Sequence, residues 1–245
     1  MHHPGLLKAD ICRKILLEGE LAGVHFEFIA LKGDFVWDSE PGAEAFDILL
    51  PLEGDAVLET GNSSVHAGSP GIIRIPYNTE YSLRTDREQV FSFLLVRKHL
   101  EKEDLRIIHR RQEAYRQPYM RLMSECPVYT EDIKSPKTVN RMLLPQGLVP
   151  RAGVGSVETP GPDTVAEHDH PMLDQVFLGM KECRCTVHAG GESTQLISGM
   201  LLHIPLGSRH SVTVEEGNTL RYLWLDFFLG HEGEKYRDEQ HHVEE

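Results

Sequence analysis

The sequence has few cysteines and lacks long apolar stretches. Four cysteines occur among 245 residues, and no two of them are spaced as a CxxC pair. This pattern disfavours a disulfide framework, and we expect reduced thiols. No stretch approaches the roughly 18 apolar residues that a membrane-spanning helix needs, and the first residues lack the apolar core of a signal peptide. We therefore predict a cytoplasmic protein with no membrane partner.

Positive charge is also scarce. Lysine and arginine number 25 against 38 aspartate and glutamate residues, which gives a formal net charge of -13. The densest basic stretch, residues 106–111, follows Glu101, Glu103 and Asp104. Because this charge balance repels phosphate backbones, we predict no nucleic-acid partner.

Two regions consist of short apolar runs broken by Gly, Pro, Asn and Asp. Runs such as FDILLPL and GIIRIP occur in the first region, and DQVFLGM and MLLHIP occur in the second. Turn signals about every 8–12 residues predict all-β domains of the sandwich or barrel type. The charged segment between them has loose helical spacing and is interrupted by Pro118. We predict an N-terminal barrel at 1–99, a partly helical linker at 100–137, a C-terminal barrel at 138–230 and a polar tail at 231–245.

The two β-rich regions resemble each other, which indicates an internal repeat. At an offset of 128 or 129 residues several positions coincide. They are Ile75-Pro76 with Ile204-Pro205, Tyr81 with His210, and Asp47 with Gln175.

Three histidines in the second region have a spacing that suits a metal site. His168 and His170 are two residues apart, so on an extended strand their side chains point the same way. Pro171 cannot donate to a strand ladder, so the chain is expected to bend there and to bring Gln175 toward the same interior. His210 follows a Pro- and Gly-containing turn and is expected to re-enter that interior from the next strand.

These two segments resemble the two motifs of the cupin superfamily. The second motif, a glycine, five residues and then PxGxxH, matches at Gly199, Pro205, Gly207 and His210. The first motif, HxH and then an acid after three or four residues, matches at the two histidines, and Asp174 and Gln175 stand where the acid is expected. The glycine that usually follows the acid by seven positions is replaced by Lys181 or Glu182.

The resemblance implies two jelly-roll-like β-barrels, of which only the C-terminal barrel can hold a metal ion. It implies one divalent transition metal, among Zn, Fe, Mn, Ni and Cu, held by His168, His170, His210 and either Gln175 or Asp174. We favour Gln175 because its distance to Pro205 matches the spacing of the first repeat. Four neutral ligands would leave the ion its full double charge and make it a strong Lewis acid.

The first repeat has no histidine at the ligand positions. Those positions hold Glu40 and Gly42 (or Pro41 and Ala43), Asp47 and Tyr81. We interpret this barrel as degenerate, with a role in packing and dimerisation. Asp47, Glu44 and Tyr81 either line a small cavity or are solvated at the barrel mouth, and we favour the second alternative.

The resemblance favours a metal-dependent enzyme that acts on a small oxygenated molecule by isomerase, lyase or cyclase chemistry. The alternatives are a non-catalytic small-molecule sensor and an iron-dependent dioxygenase. A homodimer is expected because dimerisation commonly buries exposed sheet edges. Weaker site candidates are His203, as a proton shuttle, and His188, Arg141 and Cys185; Tyr222 and Trp224 are expected to be core or rim aromatics.

Overall fold

The computed structural model describes residues 10–33, 35–39, 44–61, 63–86, 89–145, 147–233 and 242–243. The chain divides into two compact units, Met1–Ser124 and Glu125–Glu245. The four first-repeat positions that align with His168 and His170 lie outside the described residues: Glu40, Pro41, Gly42 and Ala43.

The first unit contains two antiparallel sheets and two short helices. The six-stranded sheet has the order β1-β2-β9-β4-β7-β10, and the four-stranded sheet has the order β3-β8-β5-β6. The elements are β1 (Asp10–Leu16), β2 (Val24–Lys32), β3 (Phe35–Asp38), β4 (Ala45–Glu53), β5 (Ala56–Thr60), β6 (Ser63–Ala67), β7 (Gly71–Arg74), β8 (Ser82–Thr85), β9 (Val90–His99), α1 (Lys102–Arg110), α2 (Gln112–Arg116), β10 (Tyr119–Leu122) and a 3₁₀ turn at Met123–Glu125.

The second unit also contains two antiparallel sheets. Their orders are β18-β15-β20-β13-β12-β11-β21 and β14-β19-β16-β17. The strands are β11 (Val128–Thr130), β12 (Val139–Leu144), β13 (Ala152–Pro160), β14 (Asp163–His168), β15 (Leu173–Gly179), β16 (Arg184–Ala189), β17 (Glu192–Ile197), β18 (Leu201–Ile204), β19 (His210–Val214), β20 (Thr219–Phe228) and β21 (His242–Val243).

The strand orders of the two units repeat each other. The series β7-β4-β9-β2-β1 in the first unit corresponds to β18-β15-β20-β13-β12 in the second, and β3-β8-β5-β6 corresponds to β14-β19-β16-β17. The registers coincide as well, because the Ile75 amide donates to the Asp47 carbonyl while Gln175 pairs with Ile204. The predicted all-β class and the alignment of the two Ile-Pro steps are confirmed.

Each unit buries apolar side chains between its two sheets. In the first unit Leu49 and Phe93 of one sheet belong to the same core cluster as Leu58 and Leu83 of the other. In the second unit Phe177 and Trp224 face Val187 and Val212 in the same way. Alternation of side chains along each strand puts every second residue on this inner face, so a polar residue in that phase becomes buried with the apolar ones.

The predicted partly helical segment contains α1 and α2, and α2 ends before Pro118. Arg74 anchors the end of α2, because its guanidinium donates to the carbonyls of Ala114 and Tyr115. A cation is favourable at the negative end of a helix. Beyond Pro118 the predicted linker is not helical, since Met120 lies in β10 and pairs with Ile73 of β7.

The Asp47 side chain forms a buried polar network in the first unit. Arg97 donates to both of its carboxylate oxygens at 2.7 and 2.8 Å, and the Tyr81 hydroxyl donates to Oδ2 at 3.1 Å. Asp47 and Tyr81 are only 7% and 4% exposed, so the prediction that they are solvated is wrong. Cross-strand pairing of Asp47 with Arg97 supplies the counter-charge that permits burial. Glu44 is exposed, as expected.

The predicted polar tail contributes one short strand. His242 and Val243 of β21 pair with Thr130 and Tyr129 of β11. Among the described residues, the structure has no helix that is both long and apolar enough to cross a bilayer.

Replacing Arg97 by methionine should lower the free energy of unfolding of the first unit by about 2–4 kcal/mol, because Asp47 would be left buried without its counter-charge. The measurement is urea denaturation followed by the fluorescence of Trp37, whose ring lies 5.6 Å from that of Tyr81. Both proteins carry Trp224→Phe, so that only the first unit reports.

The matched control is Arg84→Met. Arg84 forms an ion pair with Glu59 on the surface, and such pairs contribute less than about 1 kcal/mol. If the free energy of unfolding fell equally in the two variants, the buried Asp47 network would contribute no more to stability than the surface ion pair.

Candidate metal centre

His168 and His170 lie where β14 ends and the chain turns. His168 is the last residue of β14, and His170 lies in the connection that leads to β15 of the other sheet. The pairing of β14 with β19 is irregular between Val165 and His168, which indicates a local bulge. The expected bend at Pro171 is confirmed, but only His168 of the two histidines is on a strand.

His210 is the first residue of β19 and is directly opposite His168. The turn before it is closed by a hydrogen bond from the Ser208 amide to the Pro205 carbonyl. Gly207 has a φ of 69°, a backbone conformation that favours glycine, and its amide donates to the His170 carbonyl. The turn is thereby tied to the loop that carries the first two histidines.

The three imidazole rings converge. One nitrogen of each of His168, His170 and His210 lies within 4.8 Å of the others. The ring centroids are separated by 4.2 Å between His168 and His210, 4.9 Å between His168 and His170, and 5.5 Å between His170 and His210. Small side-chain rotations can bring these nitrogens to the distance of about 2.0–2.1 Å that imidazoles keep from a divalent metal.

Backbone carbonyls fix the tautomers of two of these rings. Nδ1 of His168 lies 2.8 Å from the Ala166 carbonyl, and Nδ1 of His210 lies 3.0 Å from the Ser208 carbonyl. A carbonyl only accepts, so in both rings Nδ1 donates and the neutral ring keeps a lone pair on Nε2. This is the arrangement that metal-binding histidines typically adopt.

His210 is only 1% exposed. Burial, together with the neighbouring His168 ring, lowers the pKa of His210 to about 4. The ring is therefore neutral at neutral pH, and its Nε2 has no hydrogen-bond partner among the described residues.

Gln175 lies on the inner face of β15, in the same phase as Phe177, whose ring centroid is 5.8 Å from that of His210. Gln175 is 5% exposed, and its amide nitrogen donates to Oδ1 of Asp226 at 2.7 Å. Its Oε1 is buried and has no hydrogen-bond partner within the described part of the chain. Asp226 pairs with Gln175 across adjacent strands and is completely buried.

The Asp174 side chain is engaged elsewhere. Its Oδ1 accepts hydrogen bonds from Nε2 of His203 at 3.1 Å and from the Leu206 amide at 3.0 Å. Strand alternation puts Asp174 on the face of β15 opposite to Gln175. The same contact places His203 beside Asp174, so His203 does not join the cluster of three imidazoles.

The donor set fits a divalent metal ion. Buried polar atoms in proteins are rarely left without hydrogen bonds. Here the Nε2 atom of His210 and the Oε1 atom of Gln175 are both buried without one, and two further imidazoles stand beside the first. A cation with nitrogen and oxygen ligands would satisfy both atoms.

The remaining candidates lie outside this cluster. His188 contacts the hydroxyls of Ser193 and Thr213, and Arg141 donates to the Cys126 carbonyl. Cys185 is buried with its Sγ 3.9 Å from that of Cys183. Tyr222 and Trp224 belong to the core cluster, as expected.

Asp226 shares a strand phase with Tyr222 and Trp224, and the sequence left open whether this phase or that of Arg221, Leu223 and Leu225 faces the site. The structure places the phase of Asp226 inward, because Tyr222 and Trp224 belong to the core cluster. A carboxylate in the phase of two core aromatics is itself a signal of a buried functional group.

Comparison with known proteins agrees with this architecture. No family model matches the sequence, and no curated protein matches it. A Pseudomonas aeruginosa protein named as glyoxylate-induced superposes with a TM-score of 0.71 at 14% identity, over 91% of this chain and 82% of its own. An oxalate decarboxylase variant from Bacillus subtilis gives 0.66 at 12% identity, over 90% and 75%. A cupin 2 conserved barrel domain protein from Leptotrichia buccalis gives 0.59 at 11% identity, over 89% of both chains.

The chain has a cupin fold. At these identities the likeness establishes the fold and leaves the chemistry to the site itself. The cupin fold occurs once in each unit, because the strand order of the first unit repeats that of the second.

The cupin motif also bears on which residue stands at the position of the acid. Glu182, seven residues after Gln175, has a φ of 68°, in the left-handed region that favours glycine. The motif usually has a glycine at this point. Glu182 thus has a backbone conformation that suits the glycine of the motif. The motif places its acid seven residues before that glycine, which is the position of Gln175 and not of Asp174.

Protein purified without a metal-affinity column should contain about one divalent metal ion per chain. The variant His168→Ala should contain no bound metal, because removal of one of three clustered imidazoles leaves too few ligands. Elemental analysis checks this. His188→Ala is the matched control and should retain the ion; loss in both variants, or in neither, would contradict this site.

Replacing Glu182 by glycine should raise the free energy of unfolding by about 0.5–1 kcal/mol, because relief of the left-handed strain exceeds the added chain entropy. Urea denaturation followed by Trp224 fluorescence in a Trp37→Phe background measures it. Glu192→Gly in the exposed strand β17 should instead destabilise by about 0.5–1 kcal/mol. If both Glu182→Gly and Glu192→Gly lowered the free energy of unfolding, the backbone at Glu182 would not be strained.

Proposed function

We propose that this protein is a metal-dependent enzyme that acts on a small oxygenated molecule. The observation that carries the proposal is the pair of buried, unpartnered acceptor atoms, Nε2 of His210 and Oε1 of Gln175, beside the rings of His168 and His170. A unit that served only for packing would gain nothing from burying such atoms, whose desolvation is unfavourable.

The proposed ligands are His168, His170, His210 and Gln175, and all four are neutral. When bound, a divalent ion in this set would act as a Lewis acid that polarises a carbonyl and chelates neighbouring oxygens of the substrate. The carbonyls of Ala166 and Ser208 accept from Nδ1 of His168 and of His210 and orient these two rings.

Apolar groups border the proposed site on the side of His210. The Phe177 ring lies 5.8 Å from the ring of His210 and 4.5 Å from that of Tyr222, and all three residues are buried. Exclusion of water strengthens electrostatic interactions with a bound substrate. Isomerase, lyase or cyclase chemistry fits neutral ligands and an apolar wall, because none of these reactions requires the ion to change its oxidation state.

The names of two similar structures support the class of substrate. One name refers to oxalate and the other to glyoxylate, and both compounds are small acids with neighbouring oxygens. We propose that the substrate here presents two such oxygens to the metal. Zn, Fe, Mn and Ni all accept this ligand set, and the choice among them stays open to measurement. Cytoplasmic location, a homodimeric state and the absence of a nucleic-acid partner stay predictions.

The test is a screen of keto acids, aldoses and phenolic compounds with wild-type protein, with chelator-treated protein and with His168→Ala. We expect turnover of at least one hydroxy-carbonyl compound that stops with chelator and returns when the metal is restored. Saturable binding without turnover for every hit would favour the sensor alternative. Oxygen consumption by an iron-loaded protein would favour the dioxygenase.

A further inference from the structure

We propose that Asp226 is a positioning residue of the metal centre, which holds the Gln175 amide so that its oxygen faces the three histidines. This inference deepens the proposed function and rests on it, because it assigns how the fourth ligand is oriented. Asp226 itself is not proposed as a ligand.

The hydrogen bond between these two side chains has only one direction. Asp226 lies opposite Gln175 in the neighbouring strand, and the Gln175 nitrogen is 2.7 Å from Oδ1. The amide of Gln175 has a donor end and an acceptor end, and the donor end faces the carboxyl group of Asp226. The amide oxygen is thereby left for another partner.

The first unit has a different pair of side chains at the corresponding strand positions. Asp47 and Arg97 stand at the two paired strand positions that Gln175 and Asp226 occupy in the second unit. A guanidinium only donates, and Arg97 engages both oxygens of Asp47, while Tyr81 donates to one of them from the position that matches His210. The oxygens in the first unit are thus consumed by internal donors.

The residue at the position of Arg97 in β9 and of Asp226 in β20 therefore decides whether an oxygen of the side chain opposite it is left without an internal donor. With arginine at this position, as at 97, the oxygens of the paired side chain are held by the protein. With aspartate, as at 226, the oxygen of the paired amide has no hydrogen-bond donor among the described residues. A buried carboxylate would also favour a dication held by neutral ligands, as the outer partners of metal ligands commonly do.

The experiment is a Co²⁺ titration of chelator-stripped protein, with the visible absorption bands of bound cobalt and competition against a chelating dye as readouts. Asp226→Asn should weaken Co²⁺ binding by about 10- to 100-fold. The new amide at 226 can also donate to the oxygen of Gln175 and turn the wrong end of the ligand toward the ion. The matched control Asp174→Asn should change affinity by less than about twofold, because Asp174 contacts His203 and Leu206.

A double variant separates orientation from mere packing. In Gln175→Glu with Asp226→Asn the donor and acceptor exchange places, so the new amide at 226 donates to the new carboxylate at 175. We expect this double variant to bind Co²⁺ at least as tightly as wild type, which would be a strongly non-additive rescue. The reference is Gln175→Glu alone, because the new carboxylate can strengthen binding by itself. If Asp226 only fills space, Asp226→Asn should change the Co²⁺ affinity by the same factor with glutamine and with glutamate at 175. If Asp226→Asn alone does not fold, the double variant is compared with Gln175→Glu, and equal affinity in these two variants would overturn the role of Asp226.

The outcomes separate this inference from the proposed function. No Co²⁺ binding by the wild type would overturn both. Tight binding by the wild type with unchanged affinity in Asp226→Asn would overturn the role of Asp226 alone. Loss of binding in Asp174→Asn as well as in Asp226→Asn would also overturn it, because the effect would then not depend on the contact with Gln175.

Discussion

An acceptor atom that is buried without a hydrogen bond costs about 1–3 kcal/mol, and such atoms in the described part of the second unit include Nε2 of His210 and Oε1 of Gln175. Nδ1 of His210 is held by a backbone carbonyl and the NH₂ end of Gln175 is held by Asp226. The other polar atom of each side chain is left as a buried acceptor without a hydrogen bond among the described residues. These two unsatisfied acceptors distinguish the site from an ordinary apolar core, and a bound cation would satisfy both of them.

The two units show two solutions to the same problem of polar groups in an apolar interior. The strands that correspond between the two units place a trio of polar side chains at matching positions in each unit. In the first unit Arg97 and Tyr81 donate hydrogen bonds to the carboxylate of Asp47. The positive charge of Arg97 compensates the negative charge of Asp47 within the unit. In the second unit His210 and Gln175 are acceptors toward the interior. The scaffold is therefore common to both units, and the capacity for metal chemistry depends on a few side chains.

The sequence predicted the all-β class and the three histidines because these depend on local features. Strand-length apolar runs specify the sheets, and the turn before His210 needs its proline and Gly207, both visible in the motif. The choice between Asp174 and Gln175 was harder, since adjacent residues on a strand face opposite ways and the phase depends on where the chain bends after His170. Asp226 and the Asp47–Arg97 pair could not be predicted, because they depend on the register between distant strands.

The most direct test of a metal held by three imidazoles and a glutamine oxygen is anomalous diffraction from a crystal of the metal-loaded protein. We predict one strong anomalous peak in the second unit, about 2.0–2.2 Å from a ring nitrogen of His168, His170 and His210 and from Oε1 of Gln175. A peak at Asp174, or no peak among the three rings in metal-saturated crystals, would contradict this account.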